Sequence, residues 1–394
     1  MRLLFVADGR SPTALNWMRY FVERGDEVFL ASTFACQPDL KLAGLEIVPV
    51  AFSGIKSAPG ANRTGEVPRR QGRIWGASTL KLRTSIRQWF GPLTISLAAG
   101  RLRGMLERTR PDLVHAMRIP YEGMLAADAS GLAPLLVSVW GNDFTLHAAA
   151  TPLMAHYTQW TLKVADGLHT DCQRDMRLAK KLGFSAQKPG LVIPGSGGIR
   201  PELFFPPSSA PGAPLVVNPR GFRAYVCNQA FFDAIPLVLK ERPEARFVCP
   251  AMSEEPQVLE WIDRLGIGGS VELLPPCSQK ELAVLFRSAQ VVVSPTTHDG
   301  TPNSLLEALA CGCFPVAGDL ESIREWITPG NNGLLVDATD PHALASAILR
   351  GLNEPDLRRQ AAEINAAVIA ERAEYGRSMA RAADFYQKFM NSTI

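Results

Sequence analysis

The chain alternates short apolar runs with amphipathic segments, and does so twice, on either side of a Gly/Pro-rich break. That alternation belongs to parallel α/β architecture, where each buried strand leads into a helix that covers the sheet. In the first half, strands are expected at 3–7, 28–31, 45–50, 113–115, 135–139, 167–170 and 191–193. In the second they are expected at 215–217, 246–249, 271–274, 291–294, 314–317 and 333–336. Helices are expected at 13–24, 229–242, 257–265, 279–288, 303–311, 320–327 and 342–353, with a long amphipathic stretch over 361–389. The break comprises two linker-like segments, Pro194-Gly195-Ser196-Gly197-Gly198-Ile199-Arg200-Pro201 and Pro206-Pro207-Ser208-Ser209-Ala210-Pro211-Gly212. Two halves joined in this way should hold a ligand in the crevice between them, at the carboxyl ends of the strands.

A chain of 394 residues, 46% hydrophobic and 20% charged, can bury two substantial cores. No apolar run approaches the roughly 18 residues of a membrane span. The first apolar run, Leu3 to Ala7, is too short for a secretory signal. The seven cysteines are scattered and lack zinc spacing, so reduced thiols in a cytoplasmic protein are expected. The net charge of +3 conceals an asymmetry. Between Phe52 and Pro111 lie Lys56, Arg63, Arg69, Arg70, Arg73, Lys81, Arg83, Arg87, Arg101, Arg103, Arg108 and Arg110, opposed by Glu66 and Glu107. This stretch also carries Trp75, Trp89 and Phe90. It reads either as a solvated basic surface or as an acceptor-side surface for anionic lipid headgroups, a peripheral contact at the inner face of a membrane. No nucleic-acid module accompanies the charge, so nucleic acid is not an expected partner.

The stretch with most chemistry is Ser294-Pro295-Thr296-Thr297-His298-Asp299-Gly300-Thr301-Pro302-Asn303-Ser304-Leu305-Leu306-Glu307. It reads as the end of a buried β-branched strand, a Gly/Pro loop and a helix start, with Thr301 as cap and Pro302 as first helical residue. The amides of Asn303 and Ser304 would then open the helix and favour an anion such as phosphate. Glu307 shares a helix face with Asn303. Asp299 lies in the loop before them. The site could offer an acceptor for sugar hydroxyls, donors for a phosphate and an acceptor for a ribose diol.

This string resembles the donor-site signature of retaining glycosyltransferases of family 4, in which Glu, seven residues and Glu enclose Gly-x-Pro-Asn; Asp299 replaces the first Glu. The resemblance implies a GT-B fold, with two Rossmann-like doubly wound parallel-sheet domains facing across a cleft. It implies an acceptor-side domain over 1–194, a nucleotide-sugar-binding domain over 195–370 and a C-terminal helix over 371–394 crossing back to the N-terminal domain. Asn331-Asn332-Gly333-Leu334-Leu335-Val336 also resembles the family. Arg220, in Asn218-Pro219-Arg220-Gly221, matches a family arginine for the diphosphate. The family lysine that follows is missing near Val226-Cys227, and Arg223 is either its substitute or a solvated charge.

In the first half, Asp112-Leu113-Val114-His115-Ala116-Met117 is similar to the family's Asp-x-x-His-x-His, with Met117 at the second His. His115 is either an acid–base group or a satisfied strand-end histidine. Trp140-Gly141-Asn142-Asp143 looks like a variant in which Gly141 and Asn142 approach the sugar and Asp143 faces the cleft, though such an Asp also serves turns. Gly9 and Arg10, after the first strand, stand where the family touches the nucleotide diphosphate or the acceptor. Gly300, Thr301, Pro302, Asn303, Ser304 and Leu305 complete the expected donor contacts. The implied activity is sugar transfer from a UDP- or GDP-linked donor to a glycan, lipid-linked or small-molecule acceptor. Retention is implied, and no Asp-x-Asp suggests a metal. A nucleotide-sugar epimerase or hydrolase of the same fold, or a non-catalytic binder, remain alternatives.

Overall fold

A computed structural model of the protein describes residues 1–53, 85–209 and 211–392. The basic positions from Lys56 to Arg83, with Glu66 and Trp75, lie outside the described residues. The chain divides into two compact units. Unit 1 comprises Met1–Asp171, Asp175–Ser196 and Met379–Ile394; unit 2 comprises Cys172–Arg174 and Gly197–Ser378.

In unit 1 the strands are β1 (Arg2–Ala7), β2 (Glu27–Ser32), β3 (Gly44–Ile47), β4 (Leu113–Ala116), β5 (Leu135–Val139), β6 (Gly167–Thr170) and β7 (Gly190–Val192). They form one parallel sheet in the order β3-β2-β1-β4-β5-β6-β7. In unit 2 the strands are β8 (Leu215–Val217), β9 (Arg246–Cys249), β10 (Val271–Leu273), β11 (Val291–Ser294), β12 (Phe314–Gly318) and β13 (Leu334–Val336). Their order is β10-β9-β8-β11-β12-β13, again parallel. Both sheets are doubly wound, as expected. The order reverses between β1 and β4 in one and between β8 and β11 in the other, and such a switch point opens a crevice at the carboxyl ends. The apolar runs are strands because both faces are covered: Val291, Val292 and Val293 are all fully buried.

Cap chemistry sets several helix starts. Ser11 before Pro12, Thr151 before Pro152 and Asp340 before Pro341 each accept a hydrogen bond from the following turn. These open α1 (Pro12–Glu23), α4 (Pro152–Val164) and α10 (Pro341–Asn353); α2 (Ile95–Thr109) and α3 (Met124–Asp128) lie between the first two. Helices α5 (Gln173–Lys181), α6 (Asn228–Glu241), α7 (Pro256–Leu265), α8 (Gln279–Ser288) and α9 (Asn303–Ala310) follow α4 in order.

Two helical expectations need correction. Residues 320–327 form successive turns rather than a helix. Their conformation follows tertiary anchors: Ser322 donates to the Asp299 carbonyl and Trp326 Nε1 to Thr301 Oγ1. The stretch 361–389 is two helices, α11 (Pro355–Arg372) and α12 (Tyr375–Ser392). The break is a β-bridge between Ile199 and Glu374, with Ile199 N donating to Ala373 O (2.7 Å) and Tyr375 N to Ile199 O (2.9 Å). Gly198 permits this approach: it has φ +113°, and a Cβ there would lie 2.4 Å from Ala373 O. Beyond the bridge, α12 returns to unit 1. Its Met379, Ala382, Ala383, Tyr386 and Phe389 are buried, and Tyr386 stacks on Phe21 at 4.8 Å.

Candidate active site

At the switch point of unit 2, the segment after β8 meets the segment after β11. Arg220 forms an ion pair with Asp299 across 79 residues of sequence. Its Nη1 donates to Ser304 Oγ at 3.2 Å. Its own amide donates to Asn218 Oδ1 (3.1 Å), and Asn218 is braced by Asn228 (3.3 Å). Arg220 is only 8% exposed, so a rigid guanidinium is held at the carboxyl end of the sheet. Arg223 does not join it; its guanidinium donates to the Tyr225 hydroxyl at 2.9 Å.

The Asp299 loop is held from several sides. Arg174 Nη1 donates to the Asp299 carbonyl (2.6 Å) and to Ser322 Oγ (3.1 Å). Gly300 N donates to Asp299 Oδ1 at 3.1 Å. The lack of a Cβ at Gly318 leaves room for Thr296 O, which such an atom would approach to 2.2 Å. The helix begins differently from the sequence expectation. Pro302 occupies the N-cap position in an extended conformation, and α9 starts at Asn303. Thr301 instead accepts from Trp326. The amides of Asn303 and Ser304 still lead the helix. Leu305 is a core residue: its side chain is fully buried and its amide donates to Pro302 O at 3.0 Å. The expectation of a donor contact from Leu305 is therefore corrected to packing. Glu307, one turn on, is 8% exposed, and burial pushes its carboxyl up to about 7.

In unit 1, His115 lies within a buried hydrogen-bond chain. Trp17 Nε1 donates to Tyr386 Oη (2.8 Å), and Tyr386 pairs with His115 Nδ1. His115 Nε2 meets Ser138 Oγ at 2.7 Å, Ser138 Oγ meets His169 Nδ1 at 2.8 Å, and His169 Nε2 meets the Ile193 carbonyl at 3.0 Å. A Trp N–H can only donate and a carbonyl can only accept, so every intervening proton points one way along the chain. Both histidines are neutral Nε2–H tautomers. Burial, with His169 adding to it, holds His115 well below the usual imidazole range, and burial brings His169 to about 4. Both ring nitrogens of His115 are engaged away from solvent, which corrects its acid–base reading to a structural one. Met117 is also buried.

Asp143 is likewise corrected. Its side chain is fully buried and turned inward, paired with Arg118 Nη2 at 2.6 Å and accepting from the amides of Ile119 (3.2 Å) and Trp140 (3.1 Å). Asp143 thereby positions Arg118, which sits just beyond β4 with its guanidinium over Trp140. Gly141 N donates to Asp171 Oδ2 (3.3 Å), and the Asn142 carbonyl accepts from Leu146 (3.0 Å). Gly9 is small because Cys36 Sγ would lie 2.4 Å from a Cβ there. Arg10 is chelated by Asp8 (2.8 and 2.9 Å) and stacks 3.7 Å over Phe34.

Residues 8–195 match the family described as glycosyl transferase 4-like domain, and residues 225–354 match glycosyl transferases group 1. The chain is related to the group 1 glycosyl transferases. It is 27% identical over 300 residues to a D-inositol 3-phosphate glycosyltransferase of Streptomyces bingchenggensis, covering 72% of this chain and 63% of that relative. A Streptomyces avermitilis protein of the same name is 30% identical, over 64% of this chain and 55% of its own. Among solved structures, sucrose-phosphate synthase from Thermosynechococcus elongatus has a TM-score of 0.74 at 14% identity over the whole of both chains. Anabaena HepE in complex with UDP-glucose has 0.68 at 16% identity, over 98% of this chain and 100% of its own. These likenesses establish the GT-B fold.

Sequence reasoning missed two residues of the candidate sites. Arg174 follows β6 in sequence yet belongs to unit 2, and nothing local marks it as the partner of the Asp299 loop. Arg118 could have been suspected as a cation at a strand's carboxyl end, the same signal that marked Arg220.

Proposed function

We propose that this protein transfers a sugar from a nucleoside-diphosphate sugar, UDP- or GDP-linked, to an acceptor with retention of anomeric configuration. The observation that carries the reading is the meeting of Arg220 with Asp299 and Ser304 at the head of α9. A diphosphate there receives the Arg220 fork and the leading amides at Asn303 and Ser304, both of which stabilise charge growing on a leaving group. Asp299 accepts from hydroxyls of the donor sugar once the diphosphate has taken over Arg220. Glu307 accepts from the ribose diol. The acceptor oxygen bonds to the anomeric carbon on the face from which the diphosphate departs. The bond between that carbon and the phosphate oxygen breaks with its electron pair on the phosphate, which takes the acceptor's proton.

Unit 1 is the acceptor side in this reading. Arg118, fixed by Asp143, suits an acidic group on the acceptor, in keeping with relatives named for D-inositol 3-phosphate. A lipid-linked acceptor would bring the basic stretch 56–110 to a membrane surface.

Mass spectrometry after incubation with a panel of nucleotide sugars and acceptors tests the proposal. The expected result is a glycosylated acceptor and free nucleoside diphosphate, undiminished in EDTA. Rapid turnover of a nucleotide sugar with no acceptor present would instead identify an epimerase or hydrolase.

A further inference from the structure

One exposed surface of unit 1 is unusually apolar. Helical residues 85–90, the 3-10 turn Gly91–Thr94 and α2 follow one another without interruption. Their inward side is core: Ile95, Ala98, Ala99, Leu102, Met105 and Leu106 are buried. Their outward side carries Ile86 (42% exposed), Trp89 (55%), Phe90 (54%), Leu93 (59%) and Leu97 (84%). These recur at the three- and four-residue spacing of one helical face. A surface helix of a soluble monomer normally presents polar residues there, and a contiguous apolar stripe of this kind marks an interaction site.

Two further observations say what the stripe meets. Phe52 is 40% exposed, with Leu97 and Arg101 lining the same shallow depression. Ala51 and Phe52 hold φ of +51° and +62°, a left-handed conformation that is unfavourable for both residue types. It is kept by Ala51 N donating to Thr94 Oγ1 (2.8 Å) and Ser53 Oγ donating to the Thr33 carbonyl (2.5 Å). The protein thus accepts backbone strain to turn a phenylalanine outward beside the stripe. The second observation is charge. The stripe continues along α2 into exposed Arg101 and Arg108, and the surrounding sequence from Phe52 to Pro111 is strongly basic. Aromatic and aliphatic side chains on one face with arginines beside them match the headgroup boundary of an anionic bilayer.

We infer that Phe52, Ile86, Trp89, Phe90, Leu93 and Leu97 form a docking face that inserts into the interface of an anionic lipid bilayer, with Arg101 beside the phosphates. The inference deepens the acceptor-side reading of unit 1 and rests on it only for the purpose of docking. No described helix is long and apolar enough to cross a membrane, so the contact is one that lies on the surface.

Sedimentation of the full chain with vesicles tests it. Wild type is expected to sediment with phosphatidylcholine vesicles containing phosphatidylglycerol, and far less with phosphatidylcholine alone. The Leu93→Ser/Leu97→Ser variant should partition at least about tenfold more weakly, because apolar burial is lost with charge unchanged. A blue shift of tryptophan fluorescence on binding should disappear in Trp89→Ser. Nucleoside-diphosphate binding, measured on the same samples, should be unchanged in every variant; its absence would sink the donor-site reading and leave this one standing. The inference is overturned if wild type ignores anionic vesicles or if the serine variants bind them equally. It is also overturned if wild type is a dimer that the same substitutions make monomeric, since the stripe then meets a second copy.

Discussion

Arg220 is the residue on which the donor site turns. It is nearly buried, its carboxylate partner is Asp299, and its second contact is the Ser304 hydroxyl. Removing a charge-stabilising donor of this kind costs about 10²–10³ in kcat. Arg220→Ala should therefore lower turnover by about that factor, and Arg220→Lys should recover only part, since an ammonium lacks the planar fork. Steady-state kinetics on the purified variants measure both. Glu307 makes a prediction of opposite character. Its carboxyl has a folded value of about 7 against 4.5 in an ordinary carboxyl, so the native state binds more protons between those pH values. Stability from this group is full below about pH 4.5 and is lost as pH rises through 7. Glu307→Gln should then stabilise unit 2 at pH 8, on the order of 3 kcal/mol, and scarcely at all at pH 4.5. Urea titrations at the two pH values read the difference. The same variant should bind nucleotide more weakly, which would mark a group retained for its ligand at a cost in stability.

At the scale of elements, the strands were legible because a parallel strand buried on both faces leaves a local β-branched or aliphatic run. The helix at 320–327 was not, because Ser322 and Trp326 answer to partners about 25 residues away. The start of α9 was shifted for the same reason: Thr301 looks like a cap in sequence, but Trp326 claims its hydroxyl. His115 and Asp143 show a further limit. Residue type and position after a strand announce a polar group at the sheet's carboxyl end, but not whether it faces a ligand or the interior. The identity of its hydrogen-bond partners, 271 residues away for His115 and Tyr386, decides that. Two element-level outcomes follow. Tyr386→Phe removes the one hydroxyl linking α12 to the buried chain, leaving Trp17 Nε1 and His115 Nδ1 unpaired. It should destabilise unit 1 by about 1–3 kcal/mol while leaving nucleotide affinity unchanged. Gly198→Ala forces a Cβ onto the Ala373 carbonyl at positive φ. It should break the bridge to Glu374 and increase amide hydrogen exchange around Ile199 and Tyr375.

On the scale of the whole molecule, the two units carry buried titrating groups of opposite sign. His169 has a folded value of about 4 against an ordinary 6.5, so the native state binds fewer protons in that range. Its contribution to unit 1 is full above 6.5 and is lost as pH falls towards 4. His115 acts in the same direction. Glu307 acts oppositely in unit 2, so raising the pH from 5 to 7 should favour unit 1 relative to unit 2. Calorimetric scans should show the interval between unfolding transitions changing with pH in wild type and by a smaller amount in Glu307→Gln, where the histidines of unit 1 alone remain to change it. The doubly wound order of both sheets was readable in advance because alternation of strand and helix constrains topology strongly. What alternation does not carry is which side chains the switch points assemble, and Arg174 emerged only from the folded chain.

The central claim is that a nucleoside diphosphate is gripped by Arg220 and the leading amides of α9. Isothermal titration of UDP and GDP into wild type and Arg220→Ala, with folding checked by circular dichroism, tests it most directly. Saturable binding of one nucleotide to wild type, weakened about a hundredfold in a folded Arg220→Ala protein, is the result the account predicts. Equal affinity in both proteins, or no binding of either nucleotide to wild type, would contradict it.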